Sequence, residues 1–262
     1  MTERRSNRDP QQEAPPTAKI TPAIGIPVER TMSTRSFVAL WQIAQQGFPL
    51  LPRHYARCDI HRNEYGRAML NHPEFSHLIM LDSDHVHPPD VVQQLARAAV
   101  SDPDKLVIGG LNFRRTTPYD PCIFKLNDNG VFRQPATWGE GLLQVDILGH
   151  GCIIIAREVF EKIPAPWWRY DYSGDYSDAT QEYPFGSDDV AFSHLCTKHG
   201  IDLWCLTTLT SPHIAEVPIG PELFQEHLKA HPEFIAEGVS DNAQVCGTGN
   251  IPAGDTGAGS DG

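Results

Sequence analysis

The chain has 262 residues, of which 40% are hydrophobic and 21% charged, a composition that is ordinary for a globular protein with one sizeable core. A formal net charge of −12 disfavours functions that rest on bulk attraction to nucleic acid or anionic lipid. The six cysteines form no CxxC pair, so the sequence indicates neither a disulfide framework nor a zinc cluster.

Both ends of the chain are polar. The N-terminus lacks the apolar core of a secretory signal, and no stretch is long and apolar enough to cross a membrane, so we expect a cytoplasmic protein without membrane insertion. Residues 1–20 and 238–262 are rich in Pro, Gly, Ser, Asp and Gln, and burial cannot compensate for the entropy of ordering them. The sequence therefore predicts disordered tails on either side of a single domain at 21–237.

The first half of the chain alternates strand and helix patterns. In chain order, the predicted elements are a strand at Ala23–Val28, a helix at about Ser33–Gln46 with Ser33 as its N-cap, a strand at about Tyr55–Ile60, a helix at about Arg62–Leu70, a strand at Leu78–Leu81, a helix at Asp90–Val100 and a strand at Leu106–Gly110. This alternation predicts an α/β fold with a mostly parallel sheet and right-handed crossovers.

Asp82, Ser83 and Asp84 end the apolar strand of this run abruptly. Where a chain leaves the sheet, carboxylates two residues apart can aim at one point beyond the carboxyl ends of the strands, which is where open α/β sheets bind ligands. Two such carboxylates repel each other unless a cation lies between them, and oxygen ligands favour Mg²⁺ or Mn²⁺ held with substrate phosphates. The motif predicts a metal and diphosphate site, although the same residues also suit a turn that caps the next helix.

The second half begins with a change of pattern. Apolar segments at Cys122–Leu126 and Val131–Arg133 flank an Asn-Asp-Asn-Gly turn, which is typical of a β-hairpin and suits a small antiparallel acceptor-side sheet. Strands at about Gln144–Ile147 and Gly151–Ala156 follow, with Gly149-His150-Gly151 between them.

The last third contains a long polar segment between regular elements. A short helix at Arg157–Ile163 precedes residues 171–185, which lack periodicity and predict a mobile lid over a site. A helix at about Ser187–His199 and a strand at Leu203–Leu206 then lead to His213. The acidic pair Asp188-Asp189 opens that helix, where acids are favoured electrostatically, so neither this pair nor His213 alone establishes a site.

Together and in this order, these segments resemble GT-A fold glycosyltransferases, close to glycosyltransferase family 2 and in the short form that is frequent in bacterial and bacteriophage genomes. The resemblance extends over roughly Ile24 to His213. It rests on the DSD motif and on the segments HRNEYGRAM, VDILGHGCIIIAREVFEKI and GSDDVAFSHLCTKHGIDLW. The acidic pair of the family is commonly Glu-Asp, whereas this chain has Asp188-Asp189. The implied fold is a mostly parallel, Rossmann-like central sheet flanked by helices, with a small antiparallel sheet on the acceptor side.

The resemblance implies a metal-dependent transfer of a sugar from a nucleotide-diphosphate sugar, of UDP or GDP type, to a hydroxyl acceptor on a protein, a glycan or a modified nucleobase. Asp84 and His213 would hold Mn²⁺ or Mg²⁺, and Asp82 would contact the ribose or reach the metal through water. Asp189 is the expected base, and Asp188 is expected to orient the acceptor or the donor sugar.

The remaining donor-binding residues come from the same resemblance. They are Pro27, Glu29, Arg30, Arg62, Asn63, Asp82, Ser83, Gly149 and Gly151. The tryptophans Trp167 and Trp168 either stack on a sugar ring or anchor their loop on the core. Arg114 and Arg115 either reach the diphosphate or form a solvated pair.

Two other functions fit parts of the pattern. A nucleotidyltransferase uses a similar sheet, but the first strand here is not followed by the Gly-rich loop with a basic residue that such enzymes use to hold a triphosphate. A non-catalytic module that binds a glycan or nucleotide sugar is the other alternative. The sequence leaves open the sugar, the nucleotide, the acceptor, the stereochemical outcome and the oligomeric state.

Overall fold

The computed structural model describes residues 20–28, 30–170, 187–216 and 220–231. The predicted lid at 171–185, the predicted tails apart from Ile20, and the residues Glu29 and Gly186 lie outside these ranges. Internal contacts divide the chain into two units, Met1–Ala215 and Glu216–Gly262. Among the described helices, none combines the length and the apolar character needed to span a bilayer.

The first unit contains ten strands and five helices within the described residues. The strands are β1 (Pro22–Val28), β2 (Leu50–His54), β3 (His77–Leu81), β4 (Val107–Leu111), β5 (Ile123–Leu126), β6 (Phe132–Arg133), β7 (Leu142–Val145), β8 (Ile147–Leu148), β9 (Cys152–Ala156) and β10 (Leu203–Thr210). The helices are α1 (Thr34–Ala44), α2 (Cys58–Asn71), α3 (Val91–Ser101), α4 (Arg157–Lys162) and α5 (Asp188–Lys198). The second unit contains helix α6 (Pro221–Ala230), which the sequence did not predict.

The central sheet has the strand order β2-β1-β3-β9-β4-β10-β7. Strands β1, β2, β3, β4 and β10 run in one direction, whereas β9 and β7 run in the other. A second sheet of three strands, in the order β6-β5-β8, is antiparallel. The predicted α/β class, with a mostly parallel central sheet and a small antiparallel sheet, is therefore confirmed.

Side chains of β3 show why this strand lies in the middle of the molecule. Leu78 and Met80 belong to the core under one face of the sheet, and Ile79 and Leu81 belong to the core under the other face. Alternate residues of a strand point to opposite faces, so a continuous apolar run is what a strand buried on both sides requires. The motif that follows β3 is thus held at the end of a fully buried strand.

Local sequence signals were accurate where side chains act on the nearby backbone. The Ser33 hydroxyl accepts a hydrogen bond from the Ser36 amide at 3.1 Å, which confirms the predicted N-cap of α1. The predicted hairpin is formed by β5 and β6, with Lys125 opposite Arg133. Its turn ends at Gly130, whose φ of +74° is a conformation that glycine adopts without strain.

The predicted second strand was wrong. Strand β2 lies earlier in the chain and pairs with β1, with Ile24 opposite Leu50, and the predicted strand at 55–60 instead contains the start of α2. Pro52 within β2 argues against a strand in sequence terms, but β2 is at the edge of the sheet, where a missing amide donor is tolerated.

Candidate active site

A cleft of about 420 Å³ lies beyond the ends of β1 and β3. Of the residues predicted from the sequence, those that line it are Pro27, Arg62, Asp82, Ser83, Asp84, Gly149, Gly151, Asp188, Asp189 and His213. Arg30 is exposed and Asn63 is buried, and neither is part of the lining. The topology thus brings together residues that are up to 186 positions apart, from Pro27 to His213.

Asp84 lies in one corner of the cleft, between two imidazole rings. Its Oδ2 is 2.9 Å from His213 Nε2, and its Oδ1 is 3.0 Å from His85 Nδ1. The potential ligand atoms of these three residues lie within 4.8 Å of one another. Arg115 also reaches Asp84 Oδ2, at 3.2 Å, so one member of the predicted solvated arginine pair contacts the site. We call Asp84, His85 and His213 the ligand corner.

Backbone pairing holds the ligand corner together. His85 and His213 form an isolated antiparallel bridge, and their rings stack with centroids 4.2 Å apart. The Ile214 amide donates to the Asp84 carbonyl at 2.8 Å. The two sides of the corner come from the connection after β3 and the segment after β10, so their relative position depends on the sheet and not on loop contacts alone.

His213 is held in the orientation that a metal ligand requires. Its Nδ1 donates to the Phe113 carbonyl at 3.1 Å, which leaves Nε2 to face Asp84. A carbonyl partner of this kind is the usual means by which proteins direct the lone pair of the other ring nitrogen to a metal. Although partial burial opposes a charge, hydrogen bonding to Asp84 raises the pKa of His213. The Asp84 carboxyl group is likewise partly buried, but His213 and His85 lower its pKa.

Arg62 connects the other two acidic positions of the cleft. Its guanidinium donates to Asp188 Oδ2 at 2.7 Å and to the two carboxylate oxygens of Asp82 at 3.0 and 2.9 Å. Only 5% of the Arg62 side chain is exposed. We call this group the buried ion cluster. Arg62 lines the cleft as predicted, and its contact with the nucleotide stays a prediction, since its terminal nitrogens are bonded to carboxylates in the structure.

The charges of the buried ion cluster depend on one another. Burial opposes the charge of Arg62, but Asp188 and Asp82 outweigh this effect and raise the pKa of Arg62. Burial raises the pKa of Asp188, and the nearby Asp189 and Asp82 add to the shift, while Arg62 opposes it. One guanidinium therefore serves two carboxylates, and we regard Arg62 as permanently charged.

Asp82 departs from the prediction made for the motif. Its carboxylate pairs with Arg62 and is not among the grouped ligand atoms of the ligand corner. Asp82 and Asp84 have separate protein partners, Arg62 for Asp82 and the two histidines for Asp84. His87 supports this arrangement from behind, since its Nε2 donates to the Asp82 carbonyl at 2.8 Å and burial lowers its pKa to about 4.

Asp189 lies at the start of α5 and lines the cleft. Its Oδ1 accepts hydrogen bonds from the Val190 amide at 3.0 Å and from the Ser187 hydroxyl at 2.5 Å. These contacts fix the carboxylate at the helix N-terminus, where the helix dipole favours a negative charge. Asp188, by contrast, is 4% exposed and bound to Arg62. Of the acidic pair, Asp189 is the member that remains available to a ligand.

Gly149 and Gly151 are required by packing within the protein. A Cβ atom on Gly151 would lie 2.6 Å from His85 Nε2, and one on Gly149 would lie 2.6 Å from the Cys122 Cβ. Both positions line the cleft, but the close approach that they permit is between protein segments. Gly151 in particular makes the room that His85 occupies.

Asn63 and the two tryptophans form part of the core. The Asn63 side chain bonds to the backbone of both tryptophans: its amide donates to the Trp168 carbonyl at 2.6 Å and its oxygen accepts from the Trp167 amide at 2.8 Å. Trp167 and Trp168 are each 1% exposed. The prediction that Asn63 lines the nucleotide pocket was wrong, and of the two interpretations of the tryptophans, anchoring of the loop is confirmed.

Sequence reasoning missed several residues of the cleft, including Thr31, His85, Asn112 and His150. His85 directly follows the DSD motif, and this adjacency was a signal that could have found it. His150 lies between two glycines that were identified as candidates. Nothing in the sequence indicated Thr31 or Asn112, because their places in the cleft depend on how distant segments pack.

Comparisons with known proteins agree with this architecture. No family model and no curated protein matches the sequence. Among solved structures, A197 from STIV is 16% identical with a TM-score of 0.51, covering 74% of this chain and 86% of that chain.

Two glycosyltransferase structures also match. A glycosyltransferase involved in the glycosylation of the major capsid of PBCV-1 is 14% identical, covering 53% of this chain and 63% of that chain, with a TM-score of 0.30. GalNAc-T7 with UDP, GalNAc and Mn²⁺ is 10% identical, covering 74% of this chain and 44% of that chain, with a TM-score of 0.42. These two TM-scores are too low to carry an argument. The observed fold is the α/β architecture that the sequence predicts, with a mostly parallel central sheet and a small antiparallel sheet.

Proposed function

We propose that the chain is a metal-dependent glycosyltransferase, which moves a sugar from a nucleotide-diphosphate sugar to a hydroxyl group of an acceptor. The observation that carries this proposal is the presence, in one cleft, of the ligand corner and the available carboxylate of Asp189. A transferase of this kind needs both a means of holding a diphosphate and a base for the acceptor.

The charges of the cleft support the requirement for a metal ion. Among the described residues that line it are four aspartates and two arginines. One of these arginines, Arg62, is buried and committed to two of the aspartates. A diphosphate would therefore meet net negative charge, and a divalent cation between the carboxylates and the phosphates removes this repulsion.

The residues present fit such a cation. Asp84 would supply a carboxylate oxygen, His213 its Nε2 and His85 its Nδ1, the last being an addition to the set predicted from the sequence. A set with two imidazole nitrogens favours Mn²⁺ over Mg²⁺, which prefers oxygen ligands. When bound, the cation would stabilise the negative charge that develops on the departing nucleotide. Asp82 would reach it only through water, or would contact the ribose.

Asp189 is the proposed base. Its carboxylate, fixed by the Ser187 hydroxyl and the Val190 amide, would take the proton of the acceptor hydroxyl as the new bond forms. Asp188 would act indirectly, because its bond to Arg62 holds the first turn of α5 against the end of β3. Pro27, near the end of β1, and Thr31, beyond it, line the cleft and would contact a nucleoside of UDP or GDP type.

Thermal unfolding with donor candidates tests the proposal. The protein is heated with UDP-glucose, UDP-N-acetylglucosamine, GDP-mannose or dTDP-glucose, each with and without MnCl₂. We expect one donor to raise the midpoint only when Mn²⁺ is present, since a ligand that binds the folded state stabilises it, and a tighter ligand does so more strongly at the same concentration. A lack of stabilisation by every donor, or stabilisation that does not need the metal, would count against the proposal.

Analysis of the products separates the alternatives. A glycosyltransferase releases a nucleoside diphosphate from the donor, whereas a nucleotidyltransferase releases pyrophosphate from a nucleoside triphosphate and a sugar phosphate. A binding module releases neither. The acceptor, which can be a protein, a glycan or a modified nucleobase, is sought among hydroxyl compounds once the donor is known.

A further inference from the structure

The segment Gly149-His150-Gly151 presents a single side chain to the cleft. All three residues line it, and His150 is 2% exposed. Because both glycines are kept free of side chains by packing against Cys122 and His85, the imidazole is the group that this segment can offer to a ligand. His150 is not part of the ligand corner or the buried ion cluster.

The proton of the His150 ring can be assigned from its neighbour. The Trp168 indole Nε1 lies 3.1 Å from His150 Nδ1, and an indole nitrogen is only ever a hydrogen-bond donor. His150 Nδ1 must therefore accept, and the proton of the neutral ring lies on Nε2. Burial, with a smaller contribution from the nearby charge of Arg62, lowers the pKa of His150 well below its ordinary value, so the ring is neutral at physiological pH.

The resulting Nε2–H group has no partner among the described residues. Native proteins satisfy nearly all buried donors, because an unpaired one loses its hydrogen bonds to water without replacement. Turning the ring to give Nε2 another protein partner would break the bond from Trp168. A buried donor held in this way at the wall of a ligand-binding cleft points to a partner that arrives with the ligand.

We propose that His150 Nε2 donates a hydrogen bond to an oxygen atom in the diphosphate-sugar part of the donor and positions it for transfer. The inference rests on the proposed function and adds a positioning residue to it. The terminal nitrogens of the nearby Arg62 are bonded to Asp188 and Asp82. The oxygen belongs either to the diphosphate or to a sugar hydroxyl, which share the same acceptor chemistry.

Two substitutions distinguish the role of Nε2 from that of Nδ1. In His150→Asn, the short amide can still accept from Trp168 but does not reach the place of Nε2. In His150→Gln, the longer amide carries a donor to that place and gives up the contact with Trp168. The probes are the donor that gives the largest thermal shift in the panel above and its nucleoside diphosphate, each titrated calorimetrically with Mn²⁺.

We expect His150→Asn to bind the nucleotide sugar about 5- to 20-fold more weakly than wild type and His150→Gln to bind it within about threefold, since a typical hydrogen bond is worth this much. The unfolding midpoint should fall more in His150→Gln, which gives up the contact with Trp168, than in His150→Asn, which keeps it. If the nucleoside diphosphate loses affinity for His150→Asn as well, the oxygen is on the diphosphate, and if it does not, the oxygen is on the sugar.

Three results would overturn the inference. Both variants could bind like wild type, both could weaken equally in step with stability, or the wild type could bind no nucleotide sugar at all, in which case the proposed function falls too. The affinity for Mn²⁺ alone, followed by electron paramagnetic resonance, should be the same in wild type and both variants.

Should His150→Asn not fold, a second pair of variants provides the comparison. Trp168→Phe keeps the His150 ring, and Trp168→Phe/His150→Phe removes it without leaving a buried partner unpaired.

Discussion

Asp82 and Asp84 leave the same strand two residues apart, yet they belong to regions of opposite character. Asp82 joins the buried ion cluster, where its side chain is 18% exposed and paired with Arg62. Asp84 joins the ligand corner, where its side chain is 43% exposed and lies between two imidazoles. In the first region the terminal guanidinium nitrogens are bonded to carboxylates, and in the second the ligand atoms lie within 4.8 Å of one another.

This difference predicts that one region contributes mainly to stability and the other mainly to metal binding and turnover. Removing one partner of a buried ion pair leaves an uncompensated charge in a region of low dielectric, so the buried ion cluster should govern folding. The ligand corner can lose the Asp84 side chain at little cost to folding, because that side chain is 43% exposed, whereas His85 is buried. Its residues should instead govern metal binding and turnover.

The largest expected effect is that of Asp84→Ala. Turnover of the donor should fall at least about 1000-fold, because the carboxylate of the proposed metal site is lost, while the unfolding midpoint stays close to that of wild type. Electron paramagnetic resonance should show a matching loss of Mn²⁺ affinity. Asp82→Ala is the matched control and should do the reverse, lowering stability and retaining Mn²⁺. If the two variants have the same profile, the distinction between the regions is wrong.

Asp189→Asn should lower kcat by about 100- to 10,000-fold, the range that loss of a general base produces. Donor affinity and Mn²⁺ affinity should not change, because Asp189 lies outside the ligand corner. Steady-state kinetics with calorimetry distinguishes these effects. Asp188→Asn serves for comparison and should act mainly on stability. A larger loss of kcat in Asp188→Asn than in Asp189→Asn would assign the base to the other member of the pair.

Arg62→Met should destabilise the protein by about 3–5 kcal/mol, as expected when a buried ion cluster loses its cation. Arg115→Met is the control, since Arg115 also pairs with a carboxylate but has a side chain that is 58% exposed, and its loss should cost less than about 1 kcal/mol. Urea denaturation measures both. Combining Arg62→Met with Asp188→Asn should recover part of the loss, and equal effects of the two arginine variants would contradict the assignment of a buried cluster.

At the opposite end of β3, His77 should make the stability of the protein depend on pH. Burial lowers the pKa of His77 from 6.5 to about 4, so the folded protein keeps this ring neutral while the unfolded chain takes up a proton. Stability should therefore fall as the pH drops from 6.5 to about 4, by up to roughly 1.4 kcal/mol per pH unit from this residue, and should not change further from it below pH 4.

His77→Gln removes this dependence without affecting the cleft. The difference in unfolding free energy between wild type and the variant, measured in urea at several pH values between 7 and 4.5, should change in favour of the variant as the pH falls. A difference that stays constant across this range would show that the ring is not held neutral in the folded state.

The two regions were predictable from the sequence to different degrees. The DSD motif, the acidic pair and His213 were each identified, because a strand that ends in carboxylates and a helix that opens with acids are local patterns. The pairing of Asp82 with Arg62 was not predicted, since the two residues lie on different elements 20 positions apart. The pairing of Asp84 with His213 was expected from the family resemblance alone, since no local pattern connects them. His85 was overlooked although it directly follows the motif, an adjacency that could have identified it.

The sequence by itself determined the class of fold, the cap of α1, the hairpin of β5 and β6, and the strand from which the acids emerge, since these follow from side-chain periodicity and from bonds between near neighbours. Only the tertiary structure decided which acid pairs with Arg62, which one meets the imidazoles, and that the tryptophans and Asn63 lie in the core. Those outcomes depend on burial and on contacts across the sheet, and the free energy of a charge or ring depends on neighbours that the linear order does not contain.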